Sequence, residues 1–134
     1  MRSMVAVGLA ALGVLWSSPV HSGVQEDAVS AAESAAETAA GTPEGKRFKE
    51  ALQQAFGREH GTTIQRCASK TRRPDLSDFH LFLRVDGAGS VDQVLVEPST
   101  TLAACVQKKL VSWKTSVPPH ASFWVDIGVR MKRK

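Results

Sequence analysis

The chain has 134 residues, 43% apolar and 22% charged, with a formal net charge of +4. That length supports one small domain behind an export segment and no more. The positive balance invites a nucleic-acid reading, but the bases fall in small scattered clusters (Lys46-Arg47, Arg72-Arg73, Lys108-Lys109, Lys132-Arg133-Lys134) with no aromatic residues between them to stack on bases, so no nucleic-acid partner is expected.

The N-terminus has the three parts of a secretory signal: the cation Arg2, an uncharged apolar run from Met4 to Trp16, and a break at Ser17-Ser18-Pro19. Small residues at Val20-His21-Ser22 predict cleavage after Ser22, giving a signal peptide over 1–22. The alternative is an uncleaved anchor, but the apolar run is shorter than the roughly 20 residues of a spanning helix. No stable membrane anchor is therefore expected after cleavage. Residues 23–45 are mostly Ala, Ser, Thr and Glu, with Val24 and Val29 as the only large apolar side chains. With no apolar stripe to dock it, this stretch reads as a flexible acidic tether. Glu26, Asp27, Glu33 and Glu37 make it acidic, whereas the segment from Glu44 onward is basic.

The compact domain is expected over 46–134. Phe48, Ala51, Leu52, Ala55 and Phe56 recur at helical spacing and predict a helix over 46–56, with Pro43 near its first turn. Gly57 and Gly61 weaken the turns after it. A second helix is predicted from Thr62, as N-cap, to about Lys70, ended by Arg72-Arg73-Pro74. Phe79, Leu81, Leu83 and Val85 then alternate with polar or mixed residues, Asp86-Gly87-Ala88-Gly89 reads as a turn, and Val91 to Val96 is β-branched, so a hairpin is predicted. Ser99 or Thr100 caps a further helix carrying Leu102, Cys105, Val106, Leu110 and Trp113 on one stripe, with Lys108 and Lys109 near its C-terminal end. After Pro118-Pro119 comes a last strand in which Ala121, Phe123, Val125, Ile127, Val129 and Met131 face one way and Trp124, Asp126 and Arg130 the other. The expected fold is α+β: a three-stranded antiparallel sheet in order 2-1-3, with helices on one face and a right-handed crossover.

Cys67 and Cys105 are the only cysteines. In an exported chain two cysteines predict a disulfide, and a loop of about 38 residues assigns it about 4 kcal/mol in the chain-entropy account. The alternative is two separate buried thiols. A redox-active pair is not expected without Cys-x-x-Cys. His60, His80 and His120 share no ligand spacing, so no metal is expected. Glycine-flanked serine elbows, paired-histidine zinc motifs and phosphate-binding glycine loops are absent from the sequence, and neither a catalytic residue nor a cofactor is expected.

Cys67 near a helix end, the strand ending Val85-Asp86-Gly87, Val91 and Val94, the Pro98-Ser99-Thr100 stretch, Cys105-Val106 with Leu110 and Trp113, Pro118-Pro119 and the alternating last strand come one after another in a familiar order. Over about residues 64–132 the chain resembles the TonB C-terminal domain superfamily, and within it the AgmX/PglI C-terminal branch of small bacterial envelope domains. The resemblance implies a ββαβ unit preceded by a helix, a periplasmic location after secretion across the inner membrane, and a non-enzymatic adaptor. Its partner, an envelope protein, would add a strand to the sheet edge formed by the last strand. Phe123, Trp124, Val125, Asp126 and Arg130 are the candidate partner-binding residues. Trp124 is either exposed there or packed beneath a helix or the N-terminal segment. An energy-coupling TonB has a long proline-rich spacer and a Tyr-Pro element before the first strand. This chain has no tyrosine, so a free binding module is expected rather than a force transmitter. Self-association stays open. The rival functions are a periplasmic inhibitor or immunity protein that blocks a toxic or lytic enzyme, and an enzyme or cell-wall-binding module.

Overall fold

The computed structural model describes residues 20–131. The apolar run assigned to the signal peptide lies outside them, and Ser22, the expected cleavage position, falls in the first turn of the first helix. The elements in chain order are α1 (Val20–Ala39), α2 (Pro43–Lys70), β1 (Phe79–Val85), β2 (Val91–Glu97), α3 (Thr101–Leu110) and β3 (Phe123–Val129). Three antiparallel strands form one sheet in the order β2-β1-β3. The fold is thus α+β with the expected strand order. No helix among the described residues is long and apolar enough to cross a membrane.

The alternation of β1 and β3 sorts side chains between the two faces. Leu81, Leu83 and Val85 from β1 join Phe123, Val125 and Ile127 from β3 on the inner face, where Phe48, Leu52 and Phe56 of α2 and Leu102, Val106 and Leu110 of α3 complete the core. Burial of these side chains is the main favourable term in a domain of this size, at about 1.5–3 kcal/mol for each large one. Phe48 meets Phe123 edge-on at 4.9 Å between ring centroids, which fixes the start of α2 against the start of β3.

The acidic stretch expected to be a tether is instead helical over most of its length and sits on the opposite face of the sheet. Ala32, Ala36 and Ala39 recur at i, i+4 and i+7 and are buried. A stripe of methyl groups escapes a search for large apolar residues, yet it lets a helix approach a sheet closely, and α1 runs nearest to β3. Under it Phe82, which points away from the main core, is only 3% exposed. The sheet therefore has a helix on each side: α2 and α3 on the expected face, α1 on the other.

Two further expectations are corrected in α2. It is one helix of 28 residues, not two, and Thr62 lies inside it rather than at a cap. Gly57 and Gly61 each cost about 1 kcal/mol relative to alanine in a helix interior. The buried Phe48, Leu52 and Phe56 on one side of them and Cys67 on the other hold the helix through that weak stretch. The true N-cap is Thr42, whose hydroxyl accepts the Gly45 N–H at 3.0 Å, with Pro43 in the first turn. Gly45 is needed for close approach: a Cβ there would stand 1.8 Å from the Ala39 carbonyl oxygen.

The hairpin turn is organised by Asp86. Its carboxylate accepts the Ser90 N–H at 2.9 Å and the Ala88 N–H at 3.0 Å. These backbone donors, Ser90 first, hold its pKa below the ordinary carboxylate range. Gly89 has φ +89°, and a Cβ there would lie 2.7 Å from the Thr115 carbonyl oxygen. Next to the turn is a bulge, where Asp92 is passed over between the Arg84–Gln93 and Val85–Val91 pairs. On the far side of the hairpin Thr100 caps α3 by accepting the Ala103 N–H at 3.0 Å, which selects it over Ser99. Trp113, expected on the α3 stripe, is buried but lies beyond the end of that helix.

Candidate functional site

The two edges of the sheet are closed to different degrees. Beside the start of β2 the chain returns after α3: Val91 N–H donates to the Trp113 carbonyl and Ser112 N–H to the Val91 carbonyl, both at 2.9 Å, and Thr115 N–H donates to the Gly89 carbonyl at 2.6 Å. Further along β2, Gln107 of α3 donates through Nε2 to the Val94 carbonyl at 2.5 Å. The β2 edge is thereby largely occupied. On β3, which pairs with β1 alone among the described strands, the corresponding contact is a longer one, from Gln53 Nε2 of α2 to the Asp126 carbonyl at 3.3 Å. Unpaired strand edges are templates for a further strand, and one weak side-chain contact leaves β3 the more open edge.

The five candidate partner-binding residues divide. Phe123 and Val125 are each 1% exposed and point into the core under α2, so their place on a contact surface is corrected: they anchor β3 and present no side chain to a partner. Arg130 is exposed just past the strand. Trp124 and Asp126 are half-buried on the face that carries α1. Trp124 pairs across the sheet with Arg84, whose guanidinium carbon lies 6.0 Å from its ring centroid, within the range of a cation–π contact. Arg84 is itself held by Asp92, Nε to Oδ1 at 2.8 Å, and that hydrogen bond raises its pKa further above its already high value. Asp126 Oδ1 lies 2.9 Å from His80 Nδ1 and accepts from it when that nitrogen carries its proton. The outer side of β3 therefore offers Trp124, Asp126 and Arg130 beside a cation and a histidine from β1.

Register explains why the sequence did not reveal the Arg84 and His80 contacts. The alternation of β1 and β3 places Arg84, His80, Trp124 and Asp126 on one face, but their neighbours depend on how the two strands are offset. That offset, Phe82 opposite Asp126, is a tertiary fact.

The cysteines are joined, with 5.8 Å between their Cα atoms, and tie the C-terminal part of α2 to the middle of α3. A second group not foreseen lies on the same side of the molecule. Trp113 Nε1 donates to Glu59 at 3.0 Å, and the His60 ring stands edge-on to Trp113 at 4.7 Å between centroids. His60 Nδ1 lies 3.2 Å from the Thr63 hydroxyl, and its Nε2 is enclosed without a hydrogen-bond partner. Burial lowers the His60 pKa below its ordinary value, against the smaller opposing effect of Glu59. A neutral, packed ring is what this environment favours. The sequence carried a hint in the i, i+4 spacing of Phe56 and His60 on one helix face.

His60, His80 and His120 sit in three separate places: against Trp113, beside Asp126 and over Phe123. Among the described residues no group of three or more His, Cys, Asp or Glu side chains is arranged to hold a metal ion. Neither a family model, nor a curated protein, nor a solved structure matches this chain.

Proposed function

We propose that this chain is a non-enzymatic protein-binding domain of the bacterial envelope, similar to TonB C-terminal domains, that engages its partner along β3. The observation carrying this reading is the inequality of the two sheet edges: β2 is occupied by the 112–115 segment and Gln107, whereas among the described residues the hydrogen bond to the outer edge of β3 is the long one from Gln53. A partner strand adding to β3 gains backbone hydrogen bonds at the cost of that one contact. Trp124, Asp126 and Arg130 then supply side-chain recognition beside it. The disulfide supports an oxidising compartment, and with the N-terminal export pattern it favours the periplasm.

The test places a photo-crosslinking residue at 124 or 130 in the full chain, expressed in a Gram-negative host and exported. A control carries it at 46, on α2. Adducts specific to 124 and 130 are expected, the adduct from 124 lost with R130E and the adduct from 130 lost with W124A, in variants that keep the parental melting temperature. Hydrogen exchange of the captured pair should show new protection in the β3 amides. Adducts equally abundant from position 46, or a bound partner that leaves β3 exchange unchanged, would refute edge binding. Capture of a lytic or toxic enzyme whose activity falls on binding would turn the same surface to the inhibitor reading.

A further inference from the structure

We infer that the groove between α2 and α3, lined in part by the disulfide-bonded Cys67, is a binding site for a phosphate-class oxyanion. Thr63, Arg66, Cys67 and Lys70 of α2 and Lys109 of α3 line a cavity of about 110 Å³. That is room for several waters, since one needs roughly 10–15 Å³ by this measure. Three of the five lining residues are cations and none is a carboxylate.

Arg66, Lys70 and Lys109 are exposed, and what marks the groove is that three cations meet there with no carboxylate among its lining residues. Arg66 and Lys70 stand at i, i+4 on one helix face, where like charges repel. Lys109 is added from the neighbouring helix, whose spacing from α2 is fixed by the Cys67–Cys105 bond, with 5.8 Å between the two Cα atoms. The C-terminal dipoles offset part of this: Lys70 and Lys109 lie in the last turns of α2 and α3, and each terminus contributes about half a negative charge. That leaves a clear positive excess. A phosphate monoester, at about −1.5 to −2 near neutral pH, matches the excess better than a carboxylate does. Arg66 provides a planar fork suited to two of its oxygens, and the lysines act as point charges. The disulfide thus fixes the spacing of the two helices that carry the cations. The same chemistry is offered by soluble phosphate compounds and by lipid headgroups, and the experiment separates them.

The oxidised full chain is titrated with inorganic pyrophosphate in about 0.1 M salt, where surface charges more than a Debye length apart are screened, and amide shifts are monitored by NMR. In parallel it is sedimented with phosphatidylglycerol vesicles and with phosphatidylcholine vesicles. Saturable shifts centred on residues 63, 66, 67 and 109 are expected. Affinity should fall about tenfold or more in R66Q/K70Q/K109Q, the scale of one lost charge-assisted hydrogen bond. A control with the same charge change elsewhere, K46Q/R47Q/K49Q, should keep it. Pyrophosphate binding without vesicle binding assigns a soluble phosphate compound. Sedimentation with phosphatidylglycerol alone, abolished by the groove variant only, assigns the headgroup. Equal loss in the two triple variants, or no saturable binding in either arm, overturns the site.

Discussion

Replacing Gly45 with alanine should release α1 from the sheet while the rest of the domain stays folded. The new Cβ would sit 1.8 Å from the Ala39 carbonyl oxygen and 3.0 Å from its carbon. Both atoms are backbone, so no side-chain rotation relieves the clash, and the end of α1 must separate from the start of α2 by more than an ångström. Which helix moves is decided by what holds each. The first turns of α2 are fixed by Phe48 against Phe123 and by Leu52 in the core. On α1 the buried side chains are the methyls of Ala32, Ala36 and Ala39, at about 0.8 kcal/mol each. Their sum is about 2–3 kcal/mol, and uncovering Phe82 beneath them adds about 1.5–3 kcal/mol, so the loss is bounded at about 4–6 kcal/mol, because beyond it α1 detaches. Hydrogen exchange read by mass spectrometry should show the amides of 26–39 losing protection while those of 79–85 keep it. Tryptophan emission should shift to the red as Trp124 is uncovered, and W124F should abolish the shift. A36E, which forces an acid into the alanine seam without touching α2, should give the same pattern. Unchanged protection of α1 in G45A, with stability within about 0.5 kcal/mol of the parent, the scatter of an ordinary surface substitution, would refute this account of its docking.

Removing the cross-link in C67A/C105A should lower the unfolding free energy by about 4 kcal/mol, the loop-closure value for the 38-residue separation. Urea unfolding should also show a steeper m-value, because the unfolded chain expands; a loss under about 1 kcal/mol would show that the bond is peripheral. The lowered pKa of His60 makes stability depend on pH near neutrality. Its neutral form is favoured on folding, so the contribution is complete above the ordinary histidine pKa of about 6.5 and is lost as pH falls through the lower folded value. Melting temperature should therefore drop on acidification below about pH 6.5, and H60Q should flatten that part of the profile; an unaltered slope in H60Q would assign the pH dependence to another group.

The strand order and the inner core were legible because period-two alternation is clear in Phe123 to Val129 and, apart from Phe82, in Phe79 to Val85, and the Asp86–Gly89 turn joins the latter to Val91–Glu97 as a hairpin. The continuity of α2 was not, since Gly57 and Gly61 are breakers by propensity, and the contacts that override them come from distant parts of the chain. The docking of α1 was hidden for a different reason: its buried face is made of the smallest apolar side chain, which composition alone assigns to an unpacked segment. The edge position of β3 was legible from connection rules. Its side-chain surface was only half so: alternation already turned Phe123 and Val125 inward, but that Trp124 lies on a covered face is a consequence of α1. The Arg66–Lys70–Lys109 groove left no sequence signature, because its two helices are separated by the whole hairpin and its cations come near one another only after folding.

Both cysteines precede β3 in the chain. Under the proposed export the N-terminal parts reach the oxidising side first, so the bond can close there around α2, the hairpin and α3 while β1, the central strand, still has one bare side. Until Phe123 to Val129 follows, the half-built sheet is a cross-linked receptacle with a vacancy shaped for an alternating strand. The protein's own last strand wins that place by being tethered to it, so its final residues act as a timed self-ligand, and a chain stalled or cut before Phe123 would present the vacancy to whatever extended segment lies nearby.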